Sequence, residues 1–132
     1  MKNSKIKLLF AGLIIAFGAT TQAKDTSLKS IPKEFQGYWE PVNCTENNCS
    51  IGFSLEKDSG IIADGICPGP LKKVTLSELG DVRKLVVTAV EMDMECQKSS
   101  RRNVTNTLEL KGKYLYLYEG KQKVGPYKRM KQ

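Results

Sequence analysis

The chain has no histidine and a single tryptophan, Trp39, among its 132 residues. Without histidine, the usual general base near neutral pH is missing, and so is the commonest nitrogen ligand for zinc. No apolar run approaches the ~20 residues that a membrane-spanning helix requires. The longest, Leu8 to Ala19, is broken by Gly12 and Gly18. Long helical periodicity is lacking too. Beyond one short turn, no window repeats at the 3.6-residue spacing that marks an amphipathic helix. These absences disfavour histidine-based catalysis, zinc sites of the cysteine–histidine kind, membrane spans and helix bundles.

What is present begins with an export signal. Lys2, Lys5 and Lys7 give a positive start, the apolar run follows, and Thr21-Gln22-Ala23 offers small residues where a signal peptidase cuts. A membrane anchor is the rival reading, and the run is too short for it. Residues 1–23 are therefore expected to be removed from a bacterial Sec substrate, leaving a periplasmic or secreted protein without stable membrane insertion. Cys44 lies too far from the cut to become a lipidated first residue. The remaining 109 residues, Lys24 to Gln132, suit one domain with one core. Lys24 to Ile31 is polar and reads as a flexible arm, and residues 32–132 read as the folded domain.

Charge is divided unevenly. The full chain carries 21 basic and 14 acidic residues, and the expected mature chain has a net charge of +4. Lys24 to Gln97 is net −4, whereas Lys98 to Gln132 is net +8. A basic tail commonly signals nucleic acid, but export removes that partner. The expected partner is a small ligand or a periplasmic protein, anionic in either case, with lipid phosphate, glycan and acidic protein as the candidate surfaces. The bland reading is a solvated basic face.

The four cysteines, Cys44, Cys49, Cys67 and Cys96, are even in number, which in an oxidising compartment reads as two disulfides. Three pairings are open. Cys44–Cys49 with Cys67–Cys96 is favoured, because Thr45-Glu46-Asn47-Asn48 makes a hairpin tip with a cysteine on either side. Loop entropy makes the short bridge worth roughly 2 kcal/mol and the long one roughly 3.5 kcal/mol. Zinc prefers two close cysteine pairs, and only one pair here is close. No resident metal and no cofactor is expected.

Short runs rich in Val, Ile, Leu, Thr and Tyr, separated by turn residues, give an all-β reading. Pro32 to Gln36 forms one helical turn, with Ser30 as its cap. Eight strands follow: Gly37–Val42, Ser50–Glu56, Gly60–Cys67, Lys72–Leu79, Lys84–Cys96, Asn103–Leu110, Lys113–Glu119 and Gln122–Met130. Lys57-Asp58-Ser59, Pro68-Gly69-Pro70, Gly80-Asp81, Lys111-Gly112 and Gly120-Lys121 connect them. An eight-strand antiparallel meander usually closes into an up-and-down barrel.

Alternation assigns faces. In the fifth predicted strand Val86, Thr88, Val90, Met92, Met94 and Cys96 share one side, and Ala89, Glu91, Asp93 and Glu95 the other. Met92, Val90, Leu108 and Leu110 are expected together inside. Tyr114-Leu115-Tyr116-Leu117-Tyr118 is apolar on both faces. Its tyrosines either clothe the exterior with their hydroxyls in water or form a binding face.

Phe35-Gln36-Gly37-Tyr38-Trp39 follows the helical turn and opens the first strand. It resembles the G-x-W signature of the lipocalins and their calycin relatives. That resemblance implies an eight-stranded barrel whose tryptophan closes one end beneath a basic residue near the C-terminus. Arg129 is the expected partner and Lys128 the second choice. The middle T-D-Y motif of lipocalins is absent. Pro41 and Pro126 fall in the first and last strands, where a residue without an N–H weakens a ladder. The expectation is an eight-stranded antiparallel up-and-down barrel, with the seam between those two strands as the place where closure could be incomplete.

Catalysis is poorly supplied. Disulfide pairing would silence the thiols, and Ser99-Ser100 has no nearby base. Glu91, Asp93 and Glu95 place carboxylates ~6.5–7 Å apart on one strand face. They read as a charge ladder with Arg101, Arg102, Lys121 or Lys123. A cation site or a carboxylate pair for general acid–base chemistry are the sharper alternatives. Cys67-Pro68-Gly69-Pro70 is a stiff segment, either a plain turn or a presented inhibitory loop. Gln97 to Arg102 is a basic loop suited to an acidic cleft.

The reading is a non-catalytic exported binding protein contacting a small amphipathic or anionic ligand or envelope component. Its alternative is a periplasmic protein-interaction module such as an enzyme inhibitor or immunity protein. Arg101, Arg102, Lys121, Lys123, Tyr114, Tyr116 and Tyr118 are the candidate contact residues. An open mouth favours the first reading, and an interior filled by Met92, Met94, Phe53 and Trp39 favours the second.

Overall fold

The computed structural model describes residues 23–43, 52–63, 67–92 and 96–131. It contains nine strands: β1 (Lys24–Leu28), β2 (Gly37–Pro41), β3 (Phe53–Leu55), β4 (Ile62–Ala63), β5 (Leu71–Leu79), β6 (Val82–Met92), β7 (Lys98–Lys111), β8 (Tyr114–Glu119) and β9 (Gln122–Arg129). They form one antiparallel sheet in the order β1-β5-β6-β7-β8-β9-β2-β3-β4. The strands follow β-branched and aromatic composition. The β5–β6, β7–β8 and β8–β9 hairpins turn on Gly80, Gly112 and Gly120. Each of these has φ near +61°, a conformation that glycine adopts without penalty. A three-residue 3-10 turn, Lys33–Phe35, precedes β2. Pro32 occupies its cap position and no side chain caps it, so Ser30 does not fill the expected role.

The sheet is not closed. No ladder joins its edge strands, β4 and β1. The opening does not lie between the proline-bearing strands, where the sequence places it. β2 and β9 pair in register, Trp39 opposite Arg129, Glu40 opposite Lys128 and Pro41 opposite Tyr127. Pro126 sits within the register shift of the β8–β9 ladder and still accepts at its carbonyl from the Val42 N–H at 3.0 Å. Only a proline donor is missing from a ladder, and here none is needed.

The break lies along β5. Its leading segment meets the chain before β4 through one bridge, Ser59 to Pro70, and the Gly60 N–H donates to the Gly69 carbonyl at 2.9 Å. The rest of that edge is taken by β1, paired from Lys24 opposite Glu78 to Leu28 opposite Val74. Residues 24–31 are thus not a flexible arm throughout. Backbone pairing and a Ser77 Oγ–H bond to Asp25 Oδ1 (2.6 Å) hold β1, while its side chains stay mostly exposed. A strand stabilised by its backbone leaves no apolar alternation to read.

The core runs across the sheet in register. Leu76, Leu85, Leu108 and Leu117 lie opposite one another on four successive strands. Trp39, Phe53, Leu55, Val74, Val87, Leu110, Leu115 and Tyr127 join them, and Ile31 and Phe35 enter from the segment before β2. Phe53 and Tyr127 meet edge to face, centroids 5.0 Å apart.

One face assignment is reversed. In β6 the buried set is Leu85, Val87 and Ala89, while Val86 and Thr88 turn outward. Val90 is buried as expected, alongside Leu108 and Leu110, but Met92 is half-exposed. The β6–β7 register shifts between Val90 and Met92, and such an irregularity changes which parity faces inward. Val104 shares the inward parity of Leu108 yet is exposed, because β8 begins to pair only at Thr107 and no neighbouring strand covers it. Met94 lies outside the described residues.

Candidate functional site

The Trp39 end is built from three separated pieces of chain. The 3-10 turn places the Phe35 carbonyl over the end of β2, and Trp39 Nε1 donates to it at 2.9 Å. The indole is 1% exposed. Arg129, directly across the β2–β9 ladder, lays its guanidinium over the ring, 5.0 Å from the centroid. Its Nη2 also donates to the Glu34 carbonyl. Gly37 makes room for it with φ +126°, and the Arg129 Cγ and Cδ lie 3.4 Å from where a Cβ would stand. Lys128 points the other way, opposite Glu40. The Glu34 carboxylate pairs with Arg83 Nη1, and Arg83 Nη2 reaches Glu78 Oε1 at 3.5 Å. Glu34, Glu78 and Arg83 were not legible as a group: Glu78 and Arg83 face each other across one hairpin, but only the fold brings Glu34 to them.

Beside this end lies an open groove of about 710 Å3. Its floor is the outward face of β2 and β3, and Lys33, Lys57 and Lys131 stand around it. These lysines are scattered in sequence, and no spacing signals their convergence.

The outer face of β6 to β9 carries the tyrosines. Tyr114, Tyr116 and Tyr118 are half-buried, and each ring is covered by a lysine amine: Lys113 at 5.6 Å, Lys123 at 4.7 Å and Lys84 at 5.2 Å. Glu109 sits among them, taking Lys123 Nζ at 2.9 Å and the Tyr118 hydroxyl at 3.4 Å. The hydrogen bond to Glu109 raises the Lys123 pKa. Lys121 lies in the adjoining β8–β9 turn and is exposed. This face is internally compensated: amines meet rings, and the carboxylate meets an amine and a hydroxyl.

Of the acidic run, Glu91 pairs with Arg102 Nε at 3.6 Å, while Asp93 and Glu95 fall outside the described residues. So do Cys44, Cys49 and the Arg101 side chain. Among the described residues no group of three potential ligands is placed to hold a metal ion. Cys67 and Cys96 form a disulfide with Cα atoms 5.3 Å apart. The segment after Cys67 is clamped rather than presented. The Pro70 carbonyl accepts from the Val90 N–H at 3.0 Å, and a Cβ at Gly69 would lie 1.9 Å from the Val90 oxygen.

No protein-family model, curated protein or solved structure matches this chain. Among the described residues, no helix is long and apolar enough to cross a membrane.

Proposed function

We propose that this protein is an exported, non-catalytic binding protein that works through its outer surface on an anionic ligand or envelope component. One observation carries the reading. The inward side chains leave no room: Phe35, Leu85, Leu108 and Leu115 are 0% exposed, and Ile31, Trp39, Leu55, Val74 and Val87 are 1% exposed. A cavity wide enough for an apolar ligand would leave accessible surface on the side chains that line it. This core is packed by its own side chains. Contact therefore falls to the exterior, where the net positive charge of the C-terminal part is displayed.

The fold is read as a lipocalin-like meander. The G-x-W strand, the 3-10 turn beneath it and Arg129 over the indole support this, with β1 standing in part of the gap that separates β4 from β5. Export is supported by the Cys67–Cys96 bond together with the signal-like segment 1–23. The filled core favours the second reading as well, a protein-interaction role as an inhibitor or immunity protein; the lysine-lined groove beside Trp39 is what favours a small anionic ligand.

Native mass spectrometry of the protein released from its own cell envelope tests the reading. The expected species begins at Lys24, is fully oxidised and retains an anionic small molecule. A stoichiometric protein partner would establish the interaction role instead. Recovery of an unprocessed, reduced chain from the cytosol would overturn export. Stoichiometric uptake of a fluorescent fatty-acid probe would overturn the filled core.

A further inference from the structure

Two surfaces of this protein are rich in lysine, and they differ in how the charge is answered. On the β6–β9 face the amines of Lys84, Lys113 and Lys123 lie over tyrosine rings, and Lys123 also meets Glu109. Around the groove beside Trp39 they are unanswered. Among the described residues no carboxylate lies within ion-pair distance of Lys33, Lys57 or Lys131, and Glu56 is the one acid in the lining. Three segments of chain, the 3-10 turn, the residues after β3 and the residues after β9, bring those lysines to the lining of one concavity. Like charges so gathered repel one another in the empty groove, and an anion relieves that repulsion.

We propose that this groove binds a phosphate ester, carried by a compact sugar or polyol. The proposal rests on the surface-binding reading above and names its site and ligand class. The amount of positive charge selects phosphate over carboxylate. Arg129 also lines the groove, held in place by the Trp39 ring and by one N–H on the Glu34 carbonyl, which leaves other N–H donors of its guanidinium for an anion. Arg129 and the three lysines together suit a phosphate monoester carrying ≈ −1.5 to −2 at pH 7 better than a single carboxylate. The floor selects the rest of the ligand. Tyr38 is 39% exposed and faces the groove opposite Ser54. Its ring lies close along β3, where a Cβ at Gly52 would come 2.7 Å from the hydroxyl. An exposed aromatic face set beside cations offers packing to a sugar or polyol while the amines hold its phosphate. The groove's volume falls within the ~300–1,000 Å3 range of small-ligand sites.

Calorimetric titration of the oxidised, processed protein with inorganic pyrophosphate and with glucose 1-phosphate tests this. Cosedimentation with phosphatidylcholine vesicles, plain or doped with phosphatidic acid, forms the second arm. Saturable binding at one site is expected, weakened about tenfold by Lys57→Ala and by Lys131→Ala and unchanged by Lys84→Ala or Lys123→Ala. Tyr38→Ala is expected to weaken glucose 1-phosphate and spare pyrophosphate. Both Lys57 and Lys131 are exposed, so these variants fold, and the near-ultraviolet dichroism of Trp39 checks it. Lysine-dependent pelleting with the doped vesicles assigns the phosphate to a lipid headgroup. Binding of the soluble esters alone assigns it to a free phosphoester. Equal losses in the Lys84 and Lys123 variants, or no saturable binding of any probe, overturn the groove as a site. Those outcomes leave the surface-binding reading standing, since that reading fails on mislocalisation, an occupied interior or a stoichiometric protein partner.

Discussion

The two extremities of the sheet are held by different physics. At the Trp39 end, the indole, the Arg129 guanidinium and the Glu34 carboxylate each meet a neighbour reached through folding. The indole N–H meets the Phe35 carbonyl, its face meets Arg129, and Glu34 meets Arg83. At the Cys96 end, β6 and β7 run on past β8, leaving Lys98 to Asn106 paired with β6 alone, and a disulfide ties that projection to the segment leading into β5. Side-chain packing consolidates one end and a covalent bond the other. A small domain buries a limited fraction of its surface, so the part of a hairpin that outruns its neighbours has little core to lean on and gains most from a staple.

Removing the packing is the severest way to break this comparison. Trp39→Ala is expected to cost ~3–5 kcal/mol, as large buried aromatics do, measured as a fall in the urea midpoint at unchanged slope. Hydrogen exchange should then quicken throughout, since Trp39 touches the shared core. Cys67→Ala with Cys96→Ala ranks next, at roughly 3.5 kcal/mol from the 29-residue separation. Its effect should be local first: amides of Val87 to Met92 and Arg102 to Thr105 lose protection while those of Trp39, Phe53 and Arg129 keep theirs. Uniform loss in the double variant would mean that the staple supports the whole sheet.

The same contrast explains what could be read from the sequence. Strands with alternating apolar residues, such as Leu108 and Leu110, stood out because burial imposes a period of two. The G-x-W segment and the basic residue near the C-terminus were visible because each is an unusual residue type at a recognisable place. β1 was hidden, since Lys24 to Leu28 pairs through its backbone and offers no pattern. The inward face of β6 was not legible because one unbroken alternation from Val86 to Cys96 ignores the register shift between Val90 and Met92, a feature of the ladder that leaves no mark in the sequence. The groove was invisible. Lys33, Lys57 and Lys131 belong to one surface only after three distant segments fold together, whereas the tyrosines of β8 advertised themselves from three alternate positions in a run of five.

Arg129 sharpens the comparison with a smaller effect. Arg129→Ala forfeits a cation–π contact of ~0.5–2 kcal/mol and a hydrogen bond of ~0.5–1.5 kcal/mol. Arg129→Lys should recover part of the first and lose the planar stacking. Both are expected to lower the thermal midpoint and to red-shift Trp39 emission as water reaches the ring. An unshifted emission would show that Phe35 and Ile31 cover the indole unaided.

Alkaline pH gives the smallest and most discriminating effect. Burial, with a lesser contribution from the Glu119 charge, raises the Tyr127 pKa above its usual 10.0, and the Glu109 hydrogen bond raises that of Lys123 above 10.5. A raised folded-state pKa means that the protonated form is favoured by folding in both cases. The associated stability is fully present below the unfolded values and drains away as pH climbs through the folded ones. Stability should thus hold flat at neutral pH and decline above pH 10. Tyr127 packs against Phe53 in the core, whereas Lys123 is exposed and screened by salt. Tyr127→Phe should therefore flatten the alkaline decline, while Lys123→Ala leaves it in place. The opposite ranking would mean that the outer tyrosine–lysine face, rather than the core beside Trp39, governs the alkaline limit of the fold.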